Sequence, residues 1–114
     1  MKLERELLKG VAPMVVLEIL SRGAMYGYEL SEAVAQRSGN VLTLGRGTLY
    51  PLLYNLEAKQ LVASQWQEAP TKRKRRYYGI TGKGSEYLAN QKQQWDQLRT
   101  GVEAVFATPG LSTA

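Results

Sequence analysis

Residues 46–81 read RGTLYPLLYNLEAKQLVASQWQEAPTKRKRRYYGIT. Two periods meet inside this stretch. Leu49, Leu52, Leu53 and Leu56 stand at i, i+3, i+4 and i+7, a stripe that predicts a helix over 46–60 with these four leucines in the core. Gly47, Tyr50, Pro51 and Tyr54 fall on the opposite side, and Pro51 comes early enough to be tolerated. From residue 61 the period becomes two. Val62, Ser64 and Trp66 share one side of a strand, and Tyr78 and Ile80 share one side of a second. Trp66 is expected to pack rather than bind, and Tyr78 to be core. The EAPTKRKR segment between them reads as a hairpin connection tipped by cations.

Working outward, VAPMVVLEIL (11–20) reads as the main first helix, starting near Ala12 with Pro13 at its first position, where a missing N–H costs nothing. A helical lead-in over 3–9 precedes it; a helix running through from Leu3 would instead kink at Pro13. Tyr26 to Arg37 reads as a second helix, closed by Ser38, Gly39 and Asn40, with Val41 to Leu44 a short extended piece. Thr81 and Gly82 introduce a last helix over 82–106. Pro109 and Gly110 end it, and 107–114 is expected to be a flexible tail. The order is three helices, a hairpin and a long helix. It predicts a mainly α chain with a small β-hairpin: a winged helix-turn-helix over 1–81, plus a C-terminal dimerisation helix over 82–106.

Charge narrows the function. The net charge is +5, and Lys72, Arg73, Lys74, Arg75 and Arg76 are consecutive; without them basic and acidic residues balance. Such a cluster is either a solvated loop or a polyanion contact. The chain has no cysteine and no histidine, so metal sites and nucleophile pairs built on them are excluded. No Gly-rich phosphate loop follows a strand. Neither a cofactor nor an enzymatic role is expected. No apolar run approaches the ~18 residues of a membrane span, and MKLERELLKG lacks the apolar block of a signal peptide. The expectation is a cytoplasmic protein without a membrane partner.

YGYEL (26–30), GTLYPLLYNLEAKQLV (47–62) and RRYYGITGKG (75–84) together resemble the PadR family of bacterial transcriptional regulators. The resemblance spans roughly residues 7–106. The short last helix is similar to that of the compact subfamily. The resemblance implies winged-helix dimers that repress genes of phenolic-acid detoxification, drug efflux or other stress responses. Gly45-Arg46 departs from the polar cap and acid common in members, Pro13 interrupts the first helix, and the wing tip is unusually basic.

On this reading helix 46–60 enters the major groove of double-stranded DNA, and the wing over 68–76 meets phosphates. Arg46 stands at the start of the recognition helix, to contact guanine or phosphate. Tyr50 and Tyr54 either cover the bundle's edge or reach phosphate with their hydroxyls. Thr48 is a local cap or a DNA contact, and Asn55 faces adenine or only water. Gly47 and Pro51 share their side. Tyr26 and Tyr28 open the second helix, and the resemblance implies that one touches the DNA backbone; core packing is the other reading. Lys72, Arg73, Lys74, Arg75 and Arg76 are phosphate candidates collectively.

In the last helix Leu88, Trp95 and Val102 repeat every seven residues, with Leu98 offset. So sparse a stripe needs the first helix, a second subunit, or both. A homodimer, with this helix against the partner's first helix, fits a palindromic operator. Leu88, Trp95, Leu98 and Val102 are therefore dimer-interface or effector-binding candidates. The resemblance implies a planar hydrophobic small molecule between paired tryptophans at this part of the helix, a tryptophan packed at a dimer seam being the plainer reading. Two rival functions remain: a winged-helix protein-interaction module without specific DNA binding, and an RNA-binding protein.

Overall fold

Leu49, Leu53 and Leu56 are buried as their spacing requires, while Leu52 packs half-buried at the core's edge. The computed structural model describes residues 3–110. Its elements are α1 (Arg5–Leu20), β1 (Met25–Tyr26), α2 (Gly27–Arg37), α3 (Arg46–Ala58), β2 (Val62–Glu68), β3 (Lys74–Ile80) and α4 (Gly82–Ala107). Val16, Leu17 and Leu20 of α1 meet Leu30 and Val34 of α2, the α3 leucines, and Val62 and Tyr78 of the hairpin in one core. The sheet is antiparallel in the order β1-β3-β2. Ser64 pairs with Tyr78 and Glu68 with Lys74, so the hairpin projects away from the core beyond Tyr78. The chain is thus mainly α with a small sheet, a winged helix-turn-helix followed by a long helix.

Several expectations are corrected. The first helix begins at Arg5, not near Ala12, and Pro13 lies inside it. Proline removes one i→i−4 hydrogen bond, but Leu8 and Ala12 pack on the core side before it and Val16 after it, and that burial holds both halves in one helix. Tyr26 does not open the second helix. It is a strand residue paired with Tyr77, and Tyr26 also caps α2: its backbone N–H donates to the Glu29 side chain at 3.3 Å. Trp66 does not pack into the core; it is 66% exposed, because its end of β2 has left the body of the domain. The five cations do not all tip the hairpin. Lys72 and Arg73 lie in the turn, whereas Lys74, Arg75 and Arg76 are β3 residues paired with Glu68, Gln67 and Trp66.

Smaller features seat α3. Residues 41–44 join no ladder; Ser31 donates its hydroxyl to the Leu44 carbonyl at 2.8 Å, which tucks Leu44 into the core before α3 starts. α3 ends at Ala58 rather than at Gln60. Gln60 takes φ 63°, and the Gln60 and Leu61 N–H groups donate back to the Glu57 and Leu56 carbonyls, both at 2.9 Å. That is a Schellman turn built without its usual glycine. At the start of α4, Thr81 accepts the Gly84 N–H at 2.9 Å and donates to the Gln60 carbonyl at 2.7 Å, so one hydroxyl joins two helix ends. Any side chain at Gly84 would overlap the Leu61 carbonyl. Lys92 then pairs with Glu18 of α1 at 2.7 Å. No described helix is long and apolar enough to cross a membrane. Of the expected tail, residues 111–114 lie outside the described residues.

Candidate nucleic-acid interface

With Leu49, Leu53 and Leu56 turned inward, the exposed arc of α3 runs from Arg46, Tyr50 and Tyr54 on one edge, across Gly47 and Pro51, to Thr48 and Asn55 on the other. The first edge walls a hollow of about 340 Å³. Tyr26 of β1 and Tyr28 of α2 form a second wall, and Trp66, Lys74, Arg75 and Arg76 of the wing form a third. The Tyr50 and Tyr54 rings lie 6.2 Å apart. Gly27 lets Tyr50 come close, since a Cβ at Gly27 would collide with the Tyr50 hydroxyl. The structure therefore brings Tyr26, Arg46, Tyr50, Tyr54, Lys74, Arg75 and Arg76 to one concave surface.

The wing cations differ in what holds them. Arg76 donates through Nε to Ser64 at 2.8 Å and through Nη2 to Glu57 at 2.9 Å, and Ser64 also donates to Glu57. This triad latches β2 and β3 to the end of α3. The Arg75 guanidinium stands 5.2 Å over the Tyr26 ring, which meets Tyr77 edge-on at 5.4 Å. Arg75 Nε is buried without a partner among the described residues. Arg46, Lys72, Arg73 and Lys74 are exposed, and none joins an ion pair among those residues. Tyr28 donates its hydroxyl to Glu32 at 2.9 Å, and that carboxylate raises the phenol's pKa. Burial raises that of Tyr78, the core residue beneath the hollow.

Gly47, Thr48, Pro51 and Asn55 do not face this hollow. They line a separate groove of about 420 Å³, whose other wall is Arg5, Leu8 and Lys9 of α1. Sequence reasoning missed Arg5 and Lys9, as it missed the exposure of Trp66. Its only signal was a pair of cations four apart in a segment read as a lead-in.

The α4 candidates separate as well. Leu88 is 6% exposed and belongs to its own chain's core. Trp95 is 43% exposed and, with Met14, Val15 and Ile19 of α1, lines an apolar groove of about 560 Å³. Leu98 and Val102 are exposed.

Residues 16–90 match the model of the transcriptional regulator PadR-like family. A PadR family transcriptional regulator from Eggerthella lenta has a similar structure, with 36% identity and a TM-score of 0.80 over 91% of this chain and 88% of that one. A PadR-like transcriptional regulator from Bacillus cereus is 33% identical with a TM-score of 0.79, covering 91% of this chain and 99% of its own. The transcriptional regulator YqjI of Escherichia coli is 27% identical over 95 residues, 83% of this chain; the chain spans 44% of that protein's length.

Proposed function

Because the chain belongs to the PadR-like family of transcriptional regulators, we propose that it acts as a homodimeric repressor occupying a palindromic operator in double-stranded DNA. In this reading α3 lies in the major groove, the wing grips phosphates, and a small-molecule effector releases the complex. The observation that carries it is the meeting of Arg46, Tyr50 and Tyr54 of α3 with Lys74, Arg75 and Arg76 of the wing around one hollow. A helix face and a cationic hairpin so arranged fit a groove about 12 Å wide and the backbone at its edge. Lys72 and Arg73 extend the cationic edge to the wing's turn. Thr48, Gly47, Pro51 and Asn55 belong to the same outward arc, and Tyr26 stands in the hollow's wall. Repression as the direction of control rests on the family resemblance.

The dimer is assigned to α4 against the partner's α1. Leu98, Val102, Val105 and Phe106 leave that helix apolar and exposed, which supports the assignment. Trp95, in its apolar groove, is the proposed contact for a planar hydrophobic effector.

The DNA reading is tested on duplexes selected from a random pool. Replacing Arg73 and Lys74 by alanine removes four charges per dimer. The slope of log K against log salt is expected to shrink by up to ~3.6, at ~0.9 per phosphate, with sequence preference little changed. An unchanged slope would leave the wing merely solvated. Tighter competition by single-stranded RNA, or no retention on heparin, would instead favour an RNA reader or a protein-interaction module.

A further inference from the structure

We propose that Arg5 and Lys9 of α1 form a second phosphate clamp, on the edge of α3 opposite the wing. The inference rests on the reading that α3 enters the major groove. A helix seated there has a sugar–phosphate backbone on each side. The wing covers only the edge of α3 that carries Arg46, Tyr50 and Tyr54. The other edge, with Gly47, Thr48 and Asn55, shares its groove with Arg5 and Lys9. These two cations are exposed, lie one helical turn apart on one face, and join no ion pair among the described residues. Gly47 has open space where a side chain would stand, so a backbone can approach the groove closely.

Helix stability does not account for Arg5. It stands in the first turn of α1, where the helix dipole favours anions and a cation is unfavourable. Nor does packing, since Leu8 and Ala12, not the cations, carry the buried face there. What remains is a positive rim facing the outward arc of α3 across a groove of about 420 Å³. Duplex DNA would then be held by cations on both flanks of the reading helix. This fixes the rotation of α3 in the groove, which a single flank leaves free.

The test uses the full chain carrying Arg5→Ala and Lys9→Ala, with the selected operator duplex and a random-sequence duplex as probes. The salt slope is expected to fall by up to ~1.8 per protomer, at ~0.9 per phosphate, with affinity lost equally on both duplexes. Arg5→Lys with Lys9→Arg should restore it. Arg5→Gln with Lys9→Gln keeps most of the aliphatic stems and should lower the slope as the alanine pair does. Phosphate-ethylation interference should show the alanine pair losing contacts on the opposite side of the major groove from those lost with Arg73→Ala and Lys74→Ala. If the wing variant lowers the slope while both neutral α1 pairs leave slope and interference pattern unchanged, the clamp is wrong and the DNA reading stands. If the unmodified chain binds no duplex, both fall.

Discussion

Arg76 is committed to Ser64 and Glu57, whereas Arg73 and Lys74 of the same run have no ion-pair partner among the described residues. Neighbours in a run of like charge therefore divide their work. Arg76→Ala breaks the latch and leaves the Glu57 carboxylate and the Ser64 hydroxyl to each other. The pair is partly exposed, so the expected cost is about 1 kcal/mol of folding stability, not the several expected of a buried pair. Arg46 is the contrasting case: exposed, at the first position of α3, and outside any ion pair among the described residues. Arg46→Ala should leave denaturant unfolding unchanged. It should cost about 1–3 kcal/mol on the selected operator and relax one position of each half-site. Parallel unfolding and binding titrations of the two variants check this. If Arg76→Ala leaves stability intact and removes ~0.9 of salt slope per protomer, Arg76 is a phosphate ligand and the latch is incidental. Equal loss by Arg46→Ala on specific and random duplexes would make Arg46 a phosphate anchor.

Elements were legible in proportion to how many residues repeat. The stripe of α3, the alternation through Tyr78 and Ile80 and the start of α4 at Thr81-Gly82 could all be read, because each is local. β1 is two residues long and has no period, so only its pairing with β3 defines it. The passage of α1 through Pro13 depends on core contacts from other helices, which spacing does not encode. Trp66 obeys the alternation of its strand but lies past the point where the sheet leaves the core. The candidate site was half legible for the same reason: its α3 and wing residues are motif-borne, while the separate groove that Arg5 and Lys9 share with Thr48 and Asn55 forms only through tertiary packing. The Glu18–Lys92 pair, which ties α1 to α4, is another such long-range contact. The Lys92 hydrogen bond holds Glu18 below its ordinary 4.5, against a smaller opposing effect of burial. The folded carboxyl thus binds its proton less readily than the unfolded one. Its contribution is complete above the unfolded value and lost as pH falls through the lowered folded one. The pair is part-exposed, so it is worth a few tenths to about 1 kcal/mol. Lys92→Met should be less stable by that amount near neutrality, the gap closing in acid. A gap that stays constant on acidification would mean that Lys92 acts through its aliphatic stem.

At the scale of the molecule, the domain presents one outward face of α3 and one wing, and α4 extends beyond what the domain can cover. Its 26 residues span about 39 Å, yet only Gly84 and Leu88, near its start, are buried. Beyond Gln91 it carries Trp95, Leu98, Val102, Val105 and Phe106, the last 80% exposed. A helix in a protein draws most of its stability from packing its apolar face, and an apolar stripe so large is rarely left uncovered. A second copy covers it economically: in a two-fold pair each α4 can lie on the partner's α1 while both α3 helices face the same side, as two half-sites of a palindrome require. Leu98→Asp with Val102→Asp puts charge in that seam without touching the chain's own core, because both side chains are exposed in the single chain. The variant should have the mass of one chain by light scattering where the parent has the mass of two. It should keep half-site binding and lose the gain from a second half-site. The same pair tests the effector assignment. With Trp66→Phe, Trp95 is the only indole left, and a planar hydrophobic dye should quench it at about one molecule per dimer, stacking between two facing rings. Trp95→Ala should abolish that binding yet remain dimeric. A parent with the mass of a single chain, or a charged variant that still dimerises, would remove α4 as the seam. Quenching that survives in the monomer would put the dye in the apolar groove of one chain, between Trp95 and α1.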